Sequence, residues 1–221
     1  MRRGRTRSRV IRRRSKLPPV TAVRHAERYF AAAASLARAV DPDQVDAMAR
    51  GLAEVRARGG RLFVLGVGGG AGHASHAVND FRKLCAIETY APTDNVSELT
   101  ARINDDGWDT AYNGWLEVSR LSARDALLVF SVGGGSREHG VSVNLVNALE
   151  RGRDTGCAIY GVVGAPGGTL AVLADVAVLI DPPPDLRTPL VESFQAVVWH
   201  ALVSHPDLAT RAGHWESIAA R

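Results

Sequence analysis

Short hydrophobic runs that do not alternate with polar residues recur along this chain of 221 residues. Such runs are typical of strands covered on both faces, because an exposed face would place a polar residue at every second position. We predict strands at 61–67, 87–90, 126–132, 157–163 and 176–180, and helices at 71–84, 96–102, 108–119, 139–153 and 191–203. Strands and helices in this alternation predict a parallel sheet between two helical layers, that is, a three-layer α/β sandwich.

Two further helices are predicted before the first strand. Residues 21–40 are rich in alanine, with apolar side chains at helical spacing. Asp41 is placed to cap a second helix that has Pro42 at its first position and ends at Gly59-Gly60. This N-terminal helical extension indicates packing against a partner subunit as well as against the sheet.

Composition favours one domain with a basic tail. Hydrophobic residues make up 46% of the chain, which is enough to fill a core. Nine of the 27 Lys and Arg residues lie within residues 1–16 and no acid does, so the rest of the chain has 18 basic against 23 acidic side chains. An arginine-rich segment can bind nucleic acid or anionic lipid. We instead interpret residues 1–19 as a basic disordered tail, with one domain at 20–221, and do not expect a nucleic-acid partner.

Targeting signals are not evident. The basic segment has no apolar core of the kind that a secretory signal needs, and no apolar stretch approaches 18 residues. The two cysteines, Cys85 and Cys157, make no disulfide framework and suit a reducing compartment. We therefore expect a cytoplasmic protein without a membrane-spanning helix.

A glycine-rich loop, Gly66–Gly72, follows the first predicted strand and leads into a helix. Glycines allow a tight turn and bring backbone N–H groups against an anion at a helix N-terminus. Gly68, Gly69 and Gly70 are therefore predicted to contact substrate. Four residues apart on the same helix lie His76 and Asp80, which share one face.

A second glycine loop follows the strand at 126–132. In open α/β sheets, ligands bind at the carboxyl ends of strands where the strand order reverses. Two such loops after buried strands indicate a binding site between them. Its predicted contacts are Ser131, Gly133, Gly134 and Ser136.

These features together resemble the sugar isomerase (SIS) family, and within it the phosphoheptose isomerase group. The matching features are strand-GxGGxAxxAxHxxxD at 66–80, the strand ending in Ser131 with its glycine loop, and the late Thr188-Pro189 before a helix with His200. The resemblance covers roughly residues 20–205. It implies a flavodoxin-like sheet, a homotetramer with active sites between subunits, and the interconversion of aldose and ketose phosphates through an enediol.

The resemblance also implies roles for individual residues. In the family, a carboxylate on the first-loop helix acts as base and a histidine on the last helix as acid, which correspond here to Asp80 and His200. A zinc site of some members corresponds to His76, Asp80, Glu192 and His200. The eight residues between Glu192 and His200 are about 12 Å of helical rise, so both reach one ion only from an irregular first turn or from two subunits. Asp105 corresponds to an acidic residue near the sugar.

Two departures from the family pattern affect the substrate prediction. Val67 and Gly70 replace an amide and a hydroxyl of the first loop, and the second loop lacks two hydroxyls that would hold a phosphate. Arg137 either compensates as a phosphate ligand or is a solvated side chain. Sedoheptulose 7-phosphate is therefore the default substrate only.

Other interpretations remain open from the sequence. His76 and Asp80 also fit a surface pair, Glu192 fits a helix cap, and His73 fits either a substrate contact or a surface position. Trp108, Trp115 and Trp199 are predicted core or interface aromatics. Two other functions are a dinucleotide-binding protein, because Gly66-x-Gly68-x-x-Ala71 fits that fingerprint, and a phosphosugar-binding SIS protein without catalysis.

Overall fold

The fold is built on a five-stranded sheet in which every neighbouring pair is parallel. The computed structural model describes residues 22–211. The strands are β1 (Leu62–Gly66), β2 (Thr89–Tyr90), β3 (Ala126–Ser131), β4 (Ala158–Gly164) and β5 (Val176–Ile180). Their order is β2-β1-β3-β4-β5, the flavodoxin-like order, and it reverses between β1 and β3.

Eight helices surround the sheet within the described residues. They are α1 (Ala22–Ala39), α2 (Pro42–Ala57), α3 (Gly69–Cys85), α4 (Val96–Asp106), α5 (Trp108–Val118), α6 (Val143–Thr155), α7 (Gly168–Leu173) and α8 (Arg187–Val203). Short 3-10 turns lie at Pro92–Asp94 and Pro184–Leu186. The predicted cap of α2 is confirmed, since the Asp41 side chain accepts a hydrogen bond from the Asp43 N–H at 3.0 Å.

Two hydrophobic layers, one on each face of the sheet, explain why the strands are continuous apolar runs in the sequence. Alternate residues of β3 divide between the faces: Leu128 packs with residues of α2, α3 and α8, whereas Leu127 and Val129 pack with residues of α5, α6 and α7. All residues of β1 and β3 are buried. The predicted three-layer sandwich with a parallel flavodoxin-like sheet is therefore confirmed.

The prediction that a helix starts at His139 is wrong. Ser136 and Val141 exchange two backbone hydrogen bonds of 2.9 Å each, which closes a small hairpin between β3 and α6. Gly140 (φ +62°) and Ser142 (φ +49°) adopt left-handed conformations, so α6 begins only at Val143.

Two predictions about the organisation of the whole chain are not tested by the structure. The basic tail at 1–19 lies outside the described residues, and the single domain at 20–221 stays a prediction. Over the part of the chain that the structure covers, none of the helices combines the length and apolar character needed to cross a membrane.

Candidate active site

The two glycine loops follow adjacent strands, at the reversal point of the sheet. A Cβ atom on Gly66 would lie 2.3 Å from the Gly70 carbonyl, and one on Gly70 would lie 2.7 Å from the Phe130 carbonyl oxygen. Both contacts are shorter than a carbon side chain tolerates, so these glycines let α3 start directly against β1 and β3. The N-terminus of α3 is thereby placed over the carboxyl edge of the sheet.

A cluster of three ionisable side chains forms where α3 packs on α8. His76 Nε2 lies 3.5 Å and His200 Nε2 lies 3.6 Å from Asp80 Oδ2. One atom from each residue lies within 4.8 Å of the other two. The Asp80 carboxylate is buried, with 7% of the residue exposed, while both imidazoles are exposed. The structure thus brings together three of the four predicted metal ligands.

The Asp80 carboxylate is held in place by two neutral donors. The Trp199 indole N–H donates to Oδ2 at 3.2 Å, and the Asn79 amide donates to Oδ1 at 3.0 Å. The Trp199 ring also lies 5.3 Å from the His76 ring and 4.7 Å from the His200 ring, between centroids. Trp199 is a buried core residue as predicted, and it also orients all three members of the cluster.

The orientation of His200 determines which of its ring nitrogens is available as a metal ligand. His200 Nδ1 lies 2.8 Å from the Ala196 carbonyl oxygen, one turn earlier in α8. A carbonyl oxygen only accepts hydrogen bonds, so Nδ1 carries the hydrogen and Nε2 presents its lone pair toward the cluster. This arrangement suits a metal ligand, because a second-shell acceptor at one nitrogen sets the direction of the other.

Glu192 is not brought into this cluster. It lies within the regular part of α8, so an irregular first turn does not carry it toward His200. A Cβ atom on Gly69 would lie 2.5 Å from the Glu192 carboxyl carbon, which places the carboxylate against the first glycine loop. Of the two predicted ways to bring Glu192 and His200 to one ion, the irregular first turn is not found in α8, and a contribution from two subunits stays a prediction.

Two polar residues near the cluster have buried atoms without a partner, and one of them, Gln195, was missed by sequence reasoning. Gln195 on α8 is fully buried, and neither of its amide atoms has a hydrogen-bond partner among the described residues. His73 on α3 is half-buried, and its Nδ1 atom also has no hydrogen-bond partner among the described residues. Burial lowers the pKa of His73, while the nearby Gln195 amide and Glu192 carboxylate act in the opposite direction. A single amide within an apolar helix is not recognisable from the sequence as a site residue.

The second glycine loop is organised by its own backbone. The Ser131 hydroxyl accepts a hydrogen bond from the Gly134 N–H at 2.9 Å, and the Ser136 hydroxyl accepts one from the His139 N–H at 3.3 Å. A Cβ atom on Gly134 would lie 1.7 Å from the Gly167 carbonyl oxygen, so this glycine is required by packing. Beyond the loop, Asn144 in the first turn of α6 is fully buried with an unpartnered side-chain amide, a residue that sequence reasoning also missed.

Arg137 and Asp105 form hydrogen bonds to residues outside the cluster. The Arg137 guanidinium donates to Asn147 at 2.7 Å and to Glu150 at 2.6 Å on the exposed side of α6, which favours the solvated interpretation. Asp105 is exposed near the end of α4 and accepts a hydrogen bond from Asn104 at 2.8 Å. No hydrogen bond or ion pair within the described residues joins Asp105 to the cluster.

Comparisons with known proteins extend over most of the chain. No protein-family model matches the sequence. The chain is 36% identical over 176 residues to the lincomycin biosynthesis protein LmbN of Streptomyces lincolnensis, covering 74% of this chain and 62% of LmbN. It is 31% identical over 158 residues to a probable phosphoheptose isomerase of Thermoplasma volcanium, covering 69% of this chain and 77% of that relative. The chain belongs to the phosphoheptose isomerase family.

The fold agrees with membership of this family of SIS proteins. The phosphoheptose isomerase GmhA of Neisseria gonorrhoeae superposes with a TM-score of 0.71 at 22% identity, covering 83% of this chain and 98% of that one. Family membership does not favour the dinucleotide-binding alternative.

Proposed function

We propose that this protein is a phosphosugar isomerase that interconverts an aldose phosphate and a ketose phosphate, with sedoheptulose 7-phosphate as the default substrate. Family membership supports a phosphorylated sugar as the substrate class. The observation that carries the proposal is the convergence of His76, Asp80 and His200 from α3, which starts at the first glycine loop, and α8. The glycine loop at which α3 starts lies at the carboxyl edge of the parallel sheet, where ligands bind in such folds.

The chemistry of the cluster fits a zinc ion. Two imidazole nitrogens and one carboxylate oxygen form a set of the kind found in catalytic zinc sites, which keep a fourth position open. Tetrahedral ligands at zinc distances are about 3.3 Å apart, and the Asp80 oxygen lies 3.5 and 3.6 Å from the two imidazoles. We propose that His76, Asp80 and His200 hold a divalent ion. When bound, such an ion supplies stabilisation of the negative charge that develops on the enediol oxygens.

The resemblance assigns a second role to two of these residues, with Asp80 as base and His200 as acid. A lone pair that coordinates an ion does not accept a proton at the same time. In this chain both Asp80 oxygens already accept hydrogen bonds, and His200 Nδ1 is committed to a carbonyl. We therefore propose that the first task of Asp80 and His200 is to build the ligand set, and that their part in proton transfer is a separate question for experiment.

The phosphate is proposed to bind at the second glycine loop. Ser131 and Ser136 lie there with Gly133 and Gly134, ahead of α6. Backbone N–H groups in such a loop suit an anion. The sugar would then extend from this loop toward the cluster, past the first loop at Gly68, Gly69 and Gly70. Asp105 remains a predicted sugar contact.

Assembly and location complete the proposal. The resemblance leads us to propose a cytoplasmic homotetramer with active sites between subunits. In this proposal α1, where Phe30 is 69% exposed, packs against another subunit.

The test is turnover of a panel of ketose phosphates, sedoheptulose 7-phosphate included, combined with zinc analysis of the purified protein. We expect turnover by the wild type, loss of turnover with retained fold in Asp80→Asn and His200→Ala, and loss of bound zinc in His76→Ala. Phosphosugar binding without turnover would support the sensing alternative, and thermal stabilisation by NAD or NADP alone would support the dinucleotide alternative. Wild-type-like rates in Asp80→Asn and His200→Ala would contradict the proposed site.

A further inference from the structure

Arg187, the first residue of α8, carries a positive charge that no carboxylate within residues 24–211 neutralises. Six other arginines of that range form ion pairs with Asp or Glu. Arg187 is half-buried, and its guanidinium donates one hydrogen bond, to the carbonyl oxygen of Ala165. A guanidinium has five N–H donors, so most of its donors remain available to a ligand.

The loop that Arg187 contacts packs against the second glycine loop. Ala165 follows β4, and a Cβ atom on Gly168 in the same loop would lie 2.5 Å from the carbonyl oxygens of Gly133 and Gly135. The Thr169 N–H also donates to the Gly135 carbonyl at 3.0 Å. Arg187 is therefore bonded to a loop that touches the one proposed for the phosphate.

The packing of the next turn of α8 gives the direction of this helix face. Val191 lies four residues after Arg187, so both residues share one face of α8. A Cβ atom on Gly164, the last residue of β4, would lie 2.9 Å from Val191 Cγ2 and 2.5 Å from the Val132 carbonyl oxygen. This face of α8 is thus turned toward the carboxyl ends of β3 and β4.

The position of Arg187 is not explained by the stability of α8. The N-terminus of a helix has a positive partial charge, so a cation in the first turn is unfavourable. The first turn of α8 has no acidic residue, and no side chain caps the helix. An anion beside Arg187 would compensate for this unfavourable charge.

We propose that Arg187 binds the phosphate group of the substrate, together with the backbone N–H groups of the second glycine loop. This inference rests on the proposed function. It supplies the cation that the second loop otherwise lacks, because Arg137 is engaged by Asn147 and Glu150. The planar guanidinium binds two phosphate oxygens through parallel N–H donors. Arg187 would thereby make the site select phosphorylated sugars over the free sugars.

Arg187→Gln tests the proposal with inorganic phosphate as the probe. Loss of hydrogen bonds between charged groups weakens binding about 10- to 100-fold, so the Kd measured by calorimetry on the zinc-loaded protein should rise by at least that lower factor. The matched control is Arg153→Gln, which removes an exposed arginine paired with Asp175 before β5 and should leave the Kd unchanged. Arg137→Gln should also leave it unchanged, because that guanidinium is already engaged.

Turnover separates a phosphate ligand from a residue that only holds the Ala165 loop. With sedoheptulose 7-phosphate, Arg187→Gln should raise KM and leave kcat little changed, as expected for a group that binds substrate and transition state alike. Arg187→Lys keeps the charge without the fork of donors, so its KM should lie between those of the wild type and Arg187→Gln. Zinc content should match the wild type in both variants.

Several results would overturn the inference. One is a phosphate Kd in Arg187→Gln equal to that of the wild type, as for phosphate bound to the metal ion alone. Others are an equal loss in Arg153→Gln, a loss in Arg137→Gln instead, or no phosphate binding by the wild type. A wild type that binds phosphate through Arg187 but turns over none of the sugar panel would support the anion site and overturn the proposed function.

Discussion

At the scale of single residues, Trp199 joins the hydrophobic core to the ionisable cluster. Its side chain is buried between α3, α8 and Phe130, and its ring lies 5.0 Å from His73 between centroids. A buried indole N–H needs an acceptor, and here the acceptor is the Asp80 carboxylate. The position of the carboxylate therefore depends on the packing of the core.

Trp199→Phe is expected to weaken the cluster without unfolding the protein. The change keeps an aromatic ring in the core but removes the donor to Asp80 Oδ2. Loss of such an outer-shell hydrogen bond costs about 10- to 100-fold in metal affinity or activity. Zinc affinity and kcat/KM measure the effect, with Trp108→Phe on α5 as the control, since Trp108 is 37% exposed and packs on Tyr112. Equal zinc affinity in both variants would show that the indole N–H is dispensable.

The sequence made part of this site predictable. The spacing of His76 and Asp80 predicted a shared helix face, and the resemblance supplied His200. Glu192, in contrast, was placed in the ligand set by analogy, and within one chain its carboxylate lies against Gly69 instead, so its part in that set stays a prediction. Gln195 and Asn144 could not be found at all, since a buried amide without a partner shows itself only once the surrounding packing is known.

At the scale of secondary-structure elements, the glycine pattern of α3 serves packing. Gly70 faces the Phe130 carbonyl oxygen of β3, whereas a Cβ atom on Gly72, two residues later, would have no neighbouring atom within 4 Å. The glycines of this loop therefore have different structural roles. Gly70 permits the close approach of α3 to β3, whereas Gly72 is not needed for it.

Gly70→Ala and Gly72→Ala form a matched pair with opposite expected outcomes. An added methyl on Gly70 must push α3 away from β3, and such overpacking costs about 1–3 kcal/mol. The same change at Gly72 meets open space inside a helix and should stabilise by up to about 1 kcal/mol. Chemical denaturation measures both free energies of unfolding. A Gly70→Ala protein as stable as the wild type would contradict the close approach described here.

The bounds of the secondary-structure elements were predicted well for some elements and wrongly for others. Long runs such as β1 and β3 were predicted within a residue or two, because burial on both faces leaves a clear pattern. The start of α6 was misplaced, since the hairpin of Ser136 and Val141 depends on backbone bonds that residue preferences do not encode. The six residues of α7 were not predicted, because a helix that short presents less than two turns of periodicity.

At the scale of the whole molecule, an ion pair holds the edge of the sheet opposite the site. Arg61 donates to Asp125 at 2.8 Å and to the carbonyl oxygens of Ser119 and Arg120. Asp125 also accepts hydrogen bonds from the backbone and side chain of Ser122. The end of α5 is thereby tied to the starts of β1 and β3. Burial acts to raise the pKa of Asp125, but the hydrogen bonds from Arg61 and Ser122 outweigh it, so this pKa is lowered.

This ion pair should contribute to stability in a manner that depends on pH. Because the pKa of Asp125 is lower in the folded state, its contribution is present above the unfolded pKa of about 3.9 and is lost as pH falls through the folded value. Asp125→Asn should lower the free energy of unfolding at pH 7 by about 1.5–3 kcal/mol, with a smaller difference from the wild type at pH 3. Urea denaturation at both pH values measures this, and an equal difference at each would argue against the ion pair. Asp175→Asn, at an exposed pair with Arg153, is the control.

The contact between Gly69 and Glu192 makes these two positions interdependent during protein engineering. Any side chain introduced at 69 would meet the carboxylate of Glu192, so it must be accompanied by a shift of that carboxylate or by a shorter residue at 192. Libraries that aim to reshape sugar preference should therefore vary positions 69 and 192 jointly, because scanning either alone would discard viable combinations.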